Sequence, residues 1–229
     1  MQPPTCIALI LSLVTVVAAS PHPLVPSIIK RGEEEVHVFN RDTPLTPDDL
    51  IIAENHGVNI TEMFKHSVIK RRGKEDVTIW VDNSFEETLD PEENPATPKR
   101  AVKPLDNYVY SNGPNAPCTG GLEQMRTWAT ENNGVFYFEA SGNPWRTLVV
   151  AGTNTGCNGR IRAQKHGTLG TPGNGIGNAD IYNIVNGSLG RFGKIYDGRS
   201  RMRSHGYSWC GFSHGVRMNW QVTDWPNRI

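Results

Sequence analysis

Beyond its first nineteen residues the chain has no apolar run near the roughly 20 residues that a helix needs to cross a bilayer. That excludes a helical membrane anchor in the body of the sequence. Cysteine is also scarce, with four in 229 residues. Once Cys6 is lost with the apolar leader, Cys118, Cys157 and Cys210 remain, an odd number that cannot all pair within one chain. No local nucleophile signature surrounds any of the three, which argues against a catalytic thiol. Net charge is absent as well, but this zero is a cancellation. Between Ser20 and Arg100 there are 10 Lys and Arg against 16 Asp and Glu, and from Ala101 to Ile229 there are 13 against 7. An acidic first half precedes a basic second half, and the whole-chain balance describes neither.

The leader "CIALILSLVTVVAAS" is too short for a membrane span, and Val17-Ala18-Ala19 meets the small-residue rule for cleavage after Ala19. Residues 1–19 are therefore expected to be a signal peptide and the product to be secreted and extracellular. Glycine is nearly missing from 20–100, which holds three of the 23, and one of the six tryptophans. That stretch is rich in proline and acidic clusters and has only short apolar islands such as "VTIWVD", so it reads as an acidic, poorly structured pro-region. Lys99-Arg100 stands between prolines at the point where the composition changes, and is an expected kexin-type processing site. The opposite charge of such a pro-region could shield the basic domain, 101–229, until its release.

In 101–229 the spacing of apolar residues sets the layout. Ile181, Ile184, Val185, Leu189 and Phe192 form one stripe of a helix after Gly177, with Asn178 or Asp180 as N-cap and Gly193 as stop. Leu122, Met125 and Trp128 predict a shorter helix over about 120–131. Val216, Met218, Trp220 and Val222 alternate with polar residues, a strand with one wet face. "GVFYFEA" and "WRTLVVAG" read as a hairpin, and "GRIRAQ" and "RSRMRSHGYSW" as further strands. The expected fold class is α+β, a mainly antiparallel sheet with two helices packed on one face, an α/β sandwich.

Candidate chemistry is sparse. "GTPGNGIGNAD" is a glycine-rich loop before a helix, but it lacks a P-loop lysine and puts Asp180 where a phosphate would sit. His205 and His214 flank Cys210 with no familiar zinc spacing, so no metal and no cofactor is expected. A small ribonuclease would use a Glu or His base, a His acid and an Arg for phosphate; Glu139, His205, His214, Arg160 and Arg162 could supply them. In "GRSRMRS" and "VRMNW", strand alternation predicts Arg199, Arg201 and Arg203 on one face, and with Arg217 they form a candidate anion-binding set. Asn59-Ile60-Thr61 and Asn186-Gly187-Ser188 are glycosylation sequons, at Asn59 and Asn186.

The order "NPWRTLVVAGTNTGCNGRIRAQ", "IGNADIYNIVNGSLGRFG", "GRSRMRSHGYSWC", "VRMNWQV" resembles the C-terminal half of the necrosis-inducing factors, the extracellular-protein effector family of secreted fungal proteins. The landmarks are Leu148, Gly152, Cys157, Asp180, Ile181, Phe192, Gly206, Cys210 and Trp220. The resemblance implies a killer-toxin-like fold and a disulfide between Cys157 and Cys210, with Cys118 lacking an evident partner. It also implies a non-enzymatic, toxin-like fungal effector that acts on a cell-surface component of a host or competitor, with no catalytic residues. A secreted ribonuclease or RNA-binding toxin is the alternative.

Overall fold

The computed structural model describes residues 26–87, 109–111, 118–138, 145–167, 175–192, 194–196, 199–209 and 216–223. The first part of the chain supplies strands β1 (Ser27–Arg31), β2 (Glu34–Val38), β3 (Met63–Arg71), β4 (Val77–Asp82) and β5 (Phe85–Glu87), with helix α1 (Pro47–Asn55) between β2 and β3. After β6 (Val109–Ser111) come helix α2 (Thr119–Glu131), β7 (Gly134–Tyr137), β8 (Arg146–Thr153), β9 (Gly159–Gly167) and β10 (Gly175–Gly177). Helix α3 (Asn178–Phe192) precedes β11 (Lys194–Tyr196), β12 (Arg199–Arg201), β13 (Arg203–Trp209) and β14 (Val216–Thr223).

One nine-stranded sheet in the order β1-β2-β3-β4-β8-β9-β14-β13-β6 organises these elements, and its pairings are antiparallel. The fold is α+β and dominated by antiparallel sheet. A three-stranded sheet, β10-β7-β5, and the β11-β12 ribbon complete it.

Strand alternation divides the main sheet into two faces. Val77, Ile79 and Val81 of β4, Val149 and Ala151 of β8, Ile161 and Ala163 of β9, and Met218, Trp220 and Val222 of β14 point into one core. Helices α2 and α3 fill its other side with Leu122, Met125, Trp128, Ile181, Ile184 and Val185. These are the two helices expected from the apolar spacing, at Thr119–Glu131 and Asn178–Phe192. Trp80 and Val150 point the opposite way and meet Ala53, Met63 and the half-buried Ile52 and Val58 beneath α1. Strand β4 is thus covered on both faces, which is why all six residues of "VTIWVD" are buried and apolar side chains point to both sides.

The expectation of a poorly structured segment over 20–100 is corrected for its described part. Residues 27–87 build five strands and a helix, and β4 lies inside the sheet, beside its middle strand β8. Residues 88–100, with Lys99 and Arg100, and the leader with Ala19, lie outside the described residues. The acidic composition misled because it does not report where side chains go: Asp49 and Asp82 are buried and paired with Lys65 and Arg146, and most of this segment's buried apolar side chains are gathered in β3 and β4. Helix α1 was missed although it carries a legible start. Thr46 caps the helix by accepting from the Asp49 N–H at 3.2 Å, Asp49 accepts the Thr46 N–H at 3.0 Å, and Pro47 stands in the first turn.

Two strand expectations also change. The hairpin between "GVFYFEA" and "WRTLVVAG" does not form: β8 has both edges occupied by β4 and β9, and β7 pairs instead with β5 and β10. The strand expected over "RSRMRSHGYSW" is broken at Met202, which is buried in the core. Arg199 and Arg201 therefore lie on β12, paired with β11, whereas Arg203 opens β13 in the main sheet, so the three do not share one strand face.

Candidate functional site

The face of β9, β14 and β13 turned away from α2 and α3 is polar. Pairing registers place His205 opposite Gln221 and Gln221 opposite Arg162, with Thr147 next in line on β8. One step along, Tyr207, Asn219 and Gln164 form a second row, and Trp209, Arg217 and His166 a third by register. Cross-strand partners share a face, so Arg162 and His205 project to the same side, with Gln221 between them. His205 is exposed, and Arg162, Gln164, Asn219, Gln221, Arg203 and Tyr207 are half-buried.

Arg162 is the basic centre of this face. Its guanidinium lies over the Trp145 ring at 5.8 Å from the centroid, a cation–π arrangement that fixes the side chain while leaving N–H donors for other partners. Its Nε and the Gln221 Oε1 have no hydrogen-bond partner among the described residues. Burial lowers the Arg162 pKa from its ordinary value, yet a guanidinium remains charged throughout the working range. An anionic group seated here would meet a partly desolvated cation, a stronger attraction than at a fully wet surface.

Arg160 serves a different purpose. It is buried, and its Nη2 donates to the Gly57 carbonyl at 2.7 Å and to the His56 carbonyl at 3.4 Å. These carbonyls follow the C-terminus of α1, where a cation complements the helix dipole. Arg160 thereby ties α1 to β9. Of the residues weighed for ribonuclease chemistry, the structure brings Arg162 and His205 onto one face two strands apart and assigns Arg160 to the scaffold. Glu139 and His214 lie outside the described residues. So does Cys210, and the side chains of Arg199, Arg201 and Arg217 are not among those described. Asn186 is exposed on α3 and its Oδ1 accepts from Arg126 at 3.1 Å. Asn59 is exposed in the turn before β3 and its Oδ1 accepts from the Thr61 hydroxyl at 2.8 Å. Among the described residues no three His, Cys, Asp or Glu side chains are grouped as a metal ion would require, and no helix is long and apolar enough to span a membrane.

Two histidines not singled out by the sequence occupy the interior. Trp80 Nε1 donates to His56 Nδ1 at 3.1 Å, and His56 Nε2 donates to the Thr153 carbonyl at 3.1 Å. Trp128 Nε1 donates to His66 Nδ1 at 3.3 Å, with Glu87 3.8 Å from His66 Nε2. An accepting Nδ1 requires a neutral ring protonated on Nε2. Burial lowers both pKa values, that of His66 to about 4. Each histidine joins the first part of the chain to the second, so both act in the scaffold. Only tertiary pairing identifies them, since nothing local distinguishes them from surface histidines.

Comparison of this chain with protein-family models, with curated proteins and with solved structures finds no match.

Proposed function

We propose that the chain is a secreted, non-enzymatic effector or toxin-like protein, acting outside the producing cell on an anionic component of a host or competitor surface through the polar face of β9, β14 and β13. The observation that carries this reading is the row His205, Gln221, Arg162, in which a partly desolvated guanidinium on an aromatic ring stands beside acceptors and donors on a polar sheet face. Arg203 opens β13 on the same side, Arg217 belongs to β14, and Arg199 and Arg201 to the separate β11-β12 ribbon of the same basic half.

Catalysis by this face would require an acid and a base around one scissile phosphate. His205 and Arg162 share the face, which is the specific point in favour of the ribonuclease alternative. Arg160 is held by backbone carbonyls and is withdrawn from such a role.

The test uses the full secreted chain on immobilised heparin, as a model polyanion, at increasing salt. Binding should weaken with salt, and Arg162→Gln together with Arg203→Gln should lower the salt slope by roughly one to two counterions. Salt-independent retention, or retention unaltered in the double variant, would remove the basis for this reading. RNA hydrolysis by the purified chain that disappears in His205→Gln would replace it with the nuclease.

A further inference from the structure

The first turn of α2 lies against the turn joining β8 to β9. Gly121 makes the closest approach: a Cβ there would sit 2.6 Å from the Ala151 carbonyl oxygen and 2.9 Å from that of Cys157. One residue earlier, the Cβ position of Gly120 is 3.8 Å from the Cys157 sulfur. Cys118 is the N-cap of this helix, two residues from Gly120. Its side chain is 4% exposed and makes no capping bond. An N-cap normally carries a Ser, Thr, Asp or Asn whose oxygen accepts from the first turn, and cysteine is a poor substitute. The residue type at this position is thus unexplained by helix capping.

Cys157 is well positioned for a reaction. Its N–H donates to Thr153 Oγ1 at 3.0 Å, and Gly156, at φ 86°, gives its own N–H to the Thr153 carbonyl at 3.0 Å. The backbone of the turn is fixed by these bonds, while Cys157 as a residue is only half-buried. Both residues are free thiols in the structure.

We propose that Cys118 and Cys157 form a redox-labile disulfide that fastens the N-terminus of α2 to the β8–β9 turn. A small disulfide such as oxidised glutathione supplies the oxidising equivalents. The Cys157 thiolate attacks one of its sulfurs, forming a mixed disulfide and expelling one glutathione thiolate. The Cys118 thiolate then attacks the Cys157 sulfur, forming the intramolecular bond and expelling the second. Two protein thiols lose two electrons and two protons, and one glutathione disulfide becomes two glutathione thiols. The half-exposed Cys157 reacts first because the buried Cys118 has no access to the oxidant. This pairing competes with the Cys157–Cys210 bond implied by the resemblance.

The test equilibrates the full chain with oxidised glutathione, alkylates remaining thiols and maps peptides without reduction. The expected product is about 2 Da lighter than the reduced chain before alkylation, and after it contains a peptide linking Cys118 to Cys157 and carries the alkyl group on Cys210. The same link should persist in Cys210→Ser and be abolished in Cys157→Ser. Because Cys210→Ser leaves both proposed partners intact, it decides the matter even if the other variants fold poorly. A Cys157–Cys210 or Cys118–Cys210 link, or three alkylated cysteines after equilibration, would overturn the assignment.

Discussion

Cleavage after Arg100 should cut the chain without separating its halves. The seam between β4 and β8 is the main contact between them: Val77 to Val81 pair in antiparallel register with Val149 to Thr153. Val77, Ile79, Trp80, Val81 and Phe85 are fully buried on one side of the seam, and Val149 and Val150 nearly or fully so on the other. At roughly 1.5–3 kcal/mol each, these seven side chains represent about 10–20 kcal/mol of burial. The paired backbone adds several kcal/mol. Association costs about 4–15 kcal/mol, so a net on the order of 10 kcal/mol remains, equivalent to a sub-micromolar dissociation constant. Polar ties reinforce the seam, including Arg146 Nε to Asp82 Oδ2 at 2.9 Å and Asn158 Nδ2 to the Asn55 carbonyl at 3.2 Å. The assay is digestion of the purified chain with a kexin-type protease, followed by gel filtration at 10 μM with and without urea, a concentration of roughly ten times the upper bound on dissociation. Both fragments should co-elute in native buffer and part only in denaturant. Trp80→Ala should weaken the association by about 3–5 kcal/mol and release the acidic fragment. Separate elution of the unmodified fragments in native buffer would refute the reasoning, and would restore the picture of a disposable pro-region.

Stability should fall in acid through the buried histidines. His66 has a folded pKa depressed to about 4 from 6.5, so the unfolded chain binds more protons between these values; stability rises with pH there and is lost as pH falls, by about 3 kcal/mol. Urea midpoints at pH 7.5 and 4.5 check this, and a midpoint unchanged or higher at pH 4.5 would contradict it. Gly121→Ala forces a methyl group against two backbone carbonyls and should cost about 1–3 kcal/mol, read as a lower melting temperature; an unchanged one would show that α2 does not dock as described. Glycosylation should favour Asn59, in an exposed turn, over Asn186, on a helix and engaged by Arg126, so Asn59→Gln should remove most of the endoglycosidase-sensitive mass. Retention of that mass in the Asn59 variant would reverse the ranking.

What could be read from the sequence depended on whether the signal was local. The stripes Leu122, Met125, Trp128 and Ile181, Ile184, Val185 stand at helical spacing within one element, and both helices form there. The alternation of β14 likewise stands alone. The neighbours of β8 were not legible, because pairing with β4 joins residues some seventy positions apart and nothing in either strand names the other. The acidic composition of 20–100 concealed a scaffold for the same reason, since β4 becomes interior only when β8 pairs with its edge and α1, α2 and α3 cover its faces. In the candidate site, Arg162 and His205 were recognised as basic strand residues, but their sharing of one row through Gln221 follows from two registers that no spacing rule supplies. Arg199, Arg201 and Arg203 illustrate the converse: alternation alone put them on one face, and the burial of Met202 broke the strand between them.

The interior position of β4 also bears on synthesis. The strand is complete at Asp82, whereas its partner is complete only at Thr153. At about 5–20 residues per second, the ribosome leaves β4 waiting on the order of 4–14 s with one edge open and apolar side chains on both faces. An exposed strand of that kind is a template for pairing with another nascent chain. Yield of the folded protein is therefore governed by how well the early strands are protected until the second half emerges. Substitutions that slow β8 pairing should lower the amount of folded protein before they alter anything the molecule binds.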